Sequence, residues 1–265
     1  MSIRGYRGMK LCDWVSSDSF LGGLVSIKLC HCEKLEHLPQ FDQFPYLKNL
    51  YLKDLSNIEY IDDSSPVSSS TTFFPSLEKL RIKKMPKLKG WRRGEIASNY
   101  SAQYTASLAT ALHQLSELWI LDCPQLAFIP QHPLLRSLRI RGVGLQVFDR
   151  VVRMATNLAA DSSSSSTLSK LSSLEIDNID IKFLPEVLNC NMKDLESLTI
   201  RNCKHLLMSS SHLVYEEDGR LLYWKELSSL RRLSFWDIPK LEYLPKGLEY
   251  MTAIKTLRLI NCEIY

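Results

Sequence analysis

The stretch Leu115–Pro130, LSELWILDCPQLAFIP, carries apolar residues at Leu115, Leu118, Ile120, Cys123, Leu126 and Ile129 and closes on a proline. Leu118 and Ile120 flank one outward position and alternate as a short strand does. After Cys123 the apolar residues fall at threes, which suits tight turns and short helical pieces rather than a second strand. The same frame recurs as LVSIKLCHCEKLEHLP over Leu24–Pro39 and as LRRLSFWDIPKLEYLP over Leu230–Pro245. It fits Leu47 (with Leu50, Leu52, Leu55, Ile58 and Ile61) and Leu77 (with Leu80, Ile82, Met85, Leu88 and Trp91). Leu135, Leu171, Leu195 and Ile254 open shorter copies, and Ile3 begins a partial one.

The first apolar residue of each central pair marks the register: Ile27, Leu50, Leu80, Leu118, Leu138, Leu174, Leu198, Leu233 and Leu257. The intervals run from 20 to 38 residues. The shorter ones match leucine-rich repeats of roughly 20–29 residues. The longer ones hold inserts, among them Ser-rich tracts near 64–72 and 161–167 that cannot supply a packed core. The expected fold is one leucine-rich-repeat domain over 1–265, an α/β solenoid of about nine coils plus a partial first one. A parallel β-sheet lines its concave side, and the convex side is irregular with short helical turns. Helix is expected in the inserts at 97–114 and 147–160. One coil cannot bury its own apolar face, whereas stacked coils share a continuous core.

Composition agrees. The chain of 265 residues has 44 Leu, 32 Ser, only 10 Gly and a net charge of +4, too mild to imply nucleic-acid binding. No apolar run is long enough for a membrane helix. Cys32, Cys123, Cys203 and Cys262 all lie five residues after a register mark, where this repeat buries a small side chain at the turn after the strand. Cys32 is therefore committed inward, which removes it from any metal site drawn from Cys30, His31, Cys32 and His37. The six His are scattered, and HExxH and GxSxG are absent. The expectation is no enzyme, no metal and no cofactor.

The flavour of the repeat is more specific than its class. FPYLKNLYLKDLSNIEYI (Phe44–Ile61) and FFPSLEKLRIKKMPKLKGW (Phe73–Trp91) resemble the FPSLxxLxIxxMPxLxxW repeats of plant nucleotide-binding, leucine-rich-repeat disease-resistance proteins of the coiled-coil type. Ile3–Gly8 followed by Cys12, Asp13 and Trp14 resembles that family's IxGYxG…LPxW opening, and Leu118–Pro130 resembles its LxIxxCPxLxxLP repeats. The family's nucleotide-binding switch module has no counterpart here, since GxxxxGK[ST] is missing. The repeats start at Ile3 and run to Tyr265 without a polar cap, so the chain is expected to be a piece of a larger receptor or a truncated gene product. The resemblance implies a cytoplasmic sensor domain in plant defence, with the nucleus as the alternative compartment, and not a secreted one. It would recognise a pathogen effector or host protein and contact the receptor's own switch module. The alternatives are a substrate adaptor of a ubiquitin ligase or a generic protein-binding scaffold.

The residues before, between and after each apolar pair are expected to face outward on the concave sheet. Ten of these 27 positions are basic, against about three expected from 33 Lys and Arg in 265 residues. They are Lys28, Lys53, Lys79, Arg81, Lys83, Arg139, Arg141, Arg201, Arg232 and Arg258. Glu117, Glu175 and Asp177 are the acidic ones, and Tyr51, Trp119 and Trp236 are aromatic. Arg beside exposed aromatics is the composition of binding hot spots. The expected partner-binding residues are Tyr51, Lys53, Arg81, Lys83, Trp119, Arg139, Arg141, Arg201, Trp236 and Arg258. An acidic protein surface is the expected partner; a membrane is not, and nucleic acid is the weaker option.

Overall fold

In the computed structural model, residues 1–11, 21–62, 74–93, 112–127, 134–144, 147–148, 170–181, 192–206, 227–241, 244, 248 and 251–262 are described. Each register mark is the second residue of a five-residue strand. The strands are β1 (Ser2–Arg4), β2 (Ser26–Cys30), β3 (Asn49–Lys53), β4 (Tyr60–Asp62), β5 (Lys79–Lys83) and β6 (Gly90–Arg92). They continue with β7 (Glu117–Leu121), β8 (Ser137–Arg141), β9 (Ser173–Asp177), β10 (Ser197–Arg201), β11 (Arg232–Trp236) and β12 (Thr256–Ile260). Ten of them form one parallel sheet in the order β1-β2-β3-β5-β7-β8-β9-β10-β11-β12. From β2 onward the register is unshifted: Leu50 sits beside Leu80, Leu80 beside Leu118, and Leu198 beside Leu233. This is the expected leucine-rich-repeat solenoid.

The apolar pairs build the core. Leu80, Ile82, Leu118, Ile120, Leu198 and Ile200 are fully buried, as are Leu55, Met85, Cys123 and Cys203 at the position after the strand. Only at β12, which has a sheet neighbour on one side, is a register residue open: Leu257 is 42% exposed. Tight turns flank the strand in most of the described coils. Before it, Leu115 N–H donates to the Leu112 carbonyl and Leu47 N–H to that of Phe44; after it, Leu126 N–H donates to Cys123 and Leu206 N–H to Cys203. A turn closed between residues three apart leaves both ends inside, which is why the apolar spacing is three. The Phe of each FP motif, Phe44 and Phe74, is buried in the coil, and the Phe74 ring lies 5.2 Å from that of Phe41.

Two features were not expected from the sequence. First, part of the opposite side is a second parallel sheet, in which β4 pairs with β6. Two adjacent coils carry apolar residues at equal offsets from their register marks, so Ile61 and Trp91 come level and their backbones pair. A short 3-10 turn at Phe41–Gln43 is the kind of irregularity that was expected there. Second, every strand of the main sheet exits through one left-handed residue. These are Gly5, His31, Asp54, Lys84, Asp122, Gly142, Asn178, Asn202, Asp237 and Asn261, with φ between 50° and 68°. The first nine each donate their N–H to the carbonyl of the last strand residue in the next coil, from Gly5 to Cys30 through to Asp237 to Ile260. Most of the expected helical inserts lie outside the described residues. Residues 112–114 form a turn, and Val147 and Phe148 are helical and buried.

Candidate concave interface

Alternation puts the first, third and fifth residue of each strand on the open face, and the unshifted register stacks them into columns. The central column runs Lys28, Tyr51, Arg81, Trp119, Arg139, Glu175, Thr199, Ser234 and Arg258. The last column holds Lys53, Lys83, Leu121, Arg141, Asp177, Arg201 and Trp236. All ten expected partner-binding residues therefore lie on this face. Strands in a sheet are roughly 4.8 Å apart, so residues distant in sequence become neighbours.

Trp119 is the centre of the arrangement. The Arg81 guanidinium lies 3.9 Å from its ring centroid and that of Arg139 lies 5.2 Å away, one from each neighbouring strand. Both cations are themselves anchored: Arg81 donates twice to Glu117, at 2.9 and 2.6 Å, and Arg139 reaches Glu175 at 2.8 Å. Glu175 also meets Arg201 at 3.4 Å, and Arg201 lies 4.4 Å from the Trp236 ring. Arg141 donates to both oxygens of Asp122, and that bond, more than the nearby Asp177, raises its pKa above the usual Arg value. Lys28 lies over Tyr51 at 5.2 Å. The side chains of β2 to β8 enclose an open trough of about 600 Å³, lined by Lys28, Tyr51, Lys79, Arg81, Lys83, Trp119, Arg139 and Arg141.

The pairings change the electrostatic picture drawn from composition. Glu117, Glu175 and Asp177, with Asp122, engage five of the ten cations: Lys79, Arg81, Arg139, Arg141 and Arg201. Lys53 leans on Asp54 at 3.5 Å. Lys28, Lys83, Arg232 and Arg258 have no carboxylate partner among the described residues. The face is thus a set of anchored guanidinium–indole stacks with scattered free cations. Sequence reasoning missed Asp54, Asp122 and the other left-handed exit residues, whose side chains rim the face: Asn202 donates to Asp177 and Asn261 to Asp237, each at 2.8 Å. An Asp, Asn or Gly directly after most strands was the signal.

The buried cysteines have no chemistry to offer. Cys32, Cys123 and Cys203 each donate to the carbonyl two residues back, at 3.3 to 3.5 Å. Burial pushes the Cys123 thiol up to about 12 and that of Cys203 to about 11. Cys30 and Cys32 are unbonded to each other. Among the described residues no group of three or more His, Cys, Asp or Glu is placed to hold a metal, and no helix is long and apolar enough to cross a membrane.

The sequence is similar to those of known leucine-rich-repeat and disease-resistance proteins. The family profile described as R13L1/DRL21 LRRs matches residues 1–55. A Solanum bulbocastanum protein designated disease resistance protein RGA1 is 30% identical over 211 residues, 78% of this chain and 18% of its own length. An Arabidopsis thaliana protein designated disease resistance RPP13-like protein 1 is 25% identical over 228 residues, 78% of this chain and 21% of its own. The chain thus spans about a fifth of the length of these curated relatives. Among solved structures, a Listeria monocytogenes internalin superposes with a TM-score of 0.45 at 16% identity, covering 91% of this chain and 55% of the internalin.

Proposed function

We propose, for a leucine-rich-repeat chain related to plant disease-resistance proteins, that the concave face is the recognition surface of an intracellular immune receptor. Its partner is a pathogen effector or a host protein, and the receptor's own switch module is a second contact. The chain performs no catalysis in this reading, and it works in the cytoplasm.

The observation that carries the reading is Trp119 held between Arg81 and Arg139, which are fixed in turn by Glu117 and Glu175. Trp and Arg dominate binding energy where they are found at interfaces. Side chains already immobilised before contact lose less entropy when a partner arrives, so more of the contact energy becomes affinity. A merely soluble sheet face has no need of such anchoring.

The test is an interaction screen of the chain against a library of pathogen effectors, run with three proteins: wild type, Trp119→Ala and Lys87→Glu. Lys87 lies outside the concave sheet and hydrogen-bonds Asn57. Partners found with wild type are expected to disappear with Trp119→Ala, checked as folded by circular dichroism, and to persist with Lys87→Glu. Partners indifferent to Trp119 would remove the concave face as the site.

A further inference from the structure

We propose that an acidic protein segment docks on one half of this face only, from β2 to β8, and stops at the carboxylates of β9. The inference rests on the concave face being a protein-recognition surface and goes on to specify the partner's chemistry and footprint.

Charge is divided unevenly along the sheet. The outward positions of β2, β3, β5, β7 and β8 hold seven cations and one carboxylate, Glu117. Those of β9 to β12 hold three cations and two carboxylates, Glu175 and Asp177. The trough lies wholly on the first half. Its guanidiniums are committed to carboxylates, so the charge free to meet a partner sits on lysines, above all Lys28 and Lys83. These two lie on β2 and β5, with only β3 between them. At the spacings of a parallel sheet they are roughly 12 Å apart, which four residues of an extended chain would span. Flexible lysines around a rigid aromatic centre suit carboxylates that arrive first by long-range attraction. At β9 the charged outward positions are carboxylates, Glu175 and Asp177, themselves paired with Arg139, Arg201 and Arg141, and among the described residues no outward cation without a carboxylate partner follows until Arg232 on β11.

The stacking argues for protein over nucleic acid. Single-stranded nucleic acid binds by laying bases on open aromatic faces. Trp119 offers none, because guanidiniums from β5 and β8 cover it from both sides, and Tyr51 lies under Lys28.

The experiment measures fluorescence anisotropy of a labelled eight-glutamate peptide, with an eight-glutamine peptide and an oligothymidine as comparators. The glutamate peptide is expected to bind and the glutamine peptide not. Lys28→Glu with Lys83→Glu should weaken binding 10-fold or more, and the paired Gln substitutions should give a smaller loss. Arg232→Glu, on β11, with Lys255→Glu, immediately before β12, should change it less than twofold. Urea midpoints equal to wild type confirm folding, as expected for lysines without ion pairs among the described residues. Equal loss from both charge-reversed pairs, equal binding of the two peptides, or tighter binding of oligothymidine would overturn the inference. A screened partner that is lost with Trp119→Ala but indifferent to the lysine pair would overturn it too, and would leave the recognition face standing.

Discussion

At the scale of single residues, the cysteines show how position decides chemistry. The site five residues after each register mark takes Cys, Leu, Met, Val or Ile, and all are buried inside the coil except Cys262 after β12, which is half-buried. A thiol there is a small apolar filler with one weak hydrogen bond to spend. Burial raises the folded pKa of Cys123 to about 12 and of Cys203 to about 11, from an ordinary 9.0. A group whose folded pKa lies above its unfolded one contributes stability that is complete below pH 9 and lost as pH rises through the folded values. At pH 10 each thiol should cost the fold on the order of 1 kcal/mol relative to pH 7. Urea unfolding at the two pH values is expected to show a larger alkaline loss for wild type than for a Cys123→Ala, Cys203→Ala double variant. An equal loss in both proteins would contradict this. The cysteine positions were legible in the sequence because apolar spacing alone defines them. The partners on the concave face were not: Arg81 and Glu117 meet across neighbouring strands but are 36 residues apart in the chain, with an insert of unmatched length between them. Alternation shows which side chains point outward, yet says nothing of which ones pair.

At the scale of the element, the strand is the simplest unit here and its exit the most constrained. Ten strands leave through a residue at positive φ, a conformation that costs most L-amino acids roughly 1–2 kcal/mol and costs glycine none. Asn and Asp ease it, and they fill most of these exits. Lys84, at φ 54°, is the poorest fit. Among the described residues its ammonium meets one carboxylate, Asp54 at 4.0 Å, from a largely exposed side chain, which is worth little. Lys84→Gly should therefore raise stability by about 0.5–1 kcal/mol. Asn202→Val should lower it by about 2 kcal/mol, since it puts a β-branched residue at the same angle and removes the bond to Asp177. Urea midpoints decide both signs, and a destabilised Lys84→Gly would mean that the lysine side chain matters more than its backbone. This exit could have been read from Asp54, Asp122, Asn178, Asn202, Asp237 and Asn261, but a search guided by apolar periodicity passes over polar positions. The small β4–β6 sheet escaped for a related reason. Neither segment alternates as a strand, and the offset of Ile61 and Trp91 from their register marks belongs to the repeat frame at large, so nothing in it singles out these two coils.

At the scale of the whole molecule, the sheet is a one-dimensional stack in which each coil touches only its neighbours. Removing residues 119–138 would join Leu118 to Arg139 and regenerate a strand of the same pattern, Glu-Leu-Arg-Ile-Arg, followed by Gly142. The shortened chain should fold cooperatively with a sheet one strand smaller and a lower dependence on denaturant, as less surface is exposed on unfolding. Circular dichroism and a urea titration test this, and a molten or aggregated product would show that the coils are less independent than their contacts imply. The repeat frame and the parallel sheet were legible at this scale because nine copies of one pattern reinforce each other, whereas the division of charge between the two halves depends on single residues. The shared left-handed exit has a consequence for descent. Since every coil hands the next the same donor and receives the same acceptor, unequal recombination within the gene can add, drop or reorder coils without mending a junction. What changes in the offspring is the three outward side chains each coil contributes. A lineage built this way can revise what it meets at its surface faster than it could ever revise its fold.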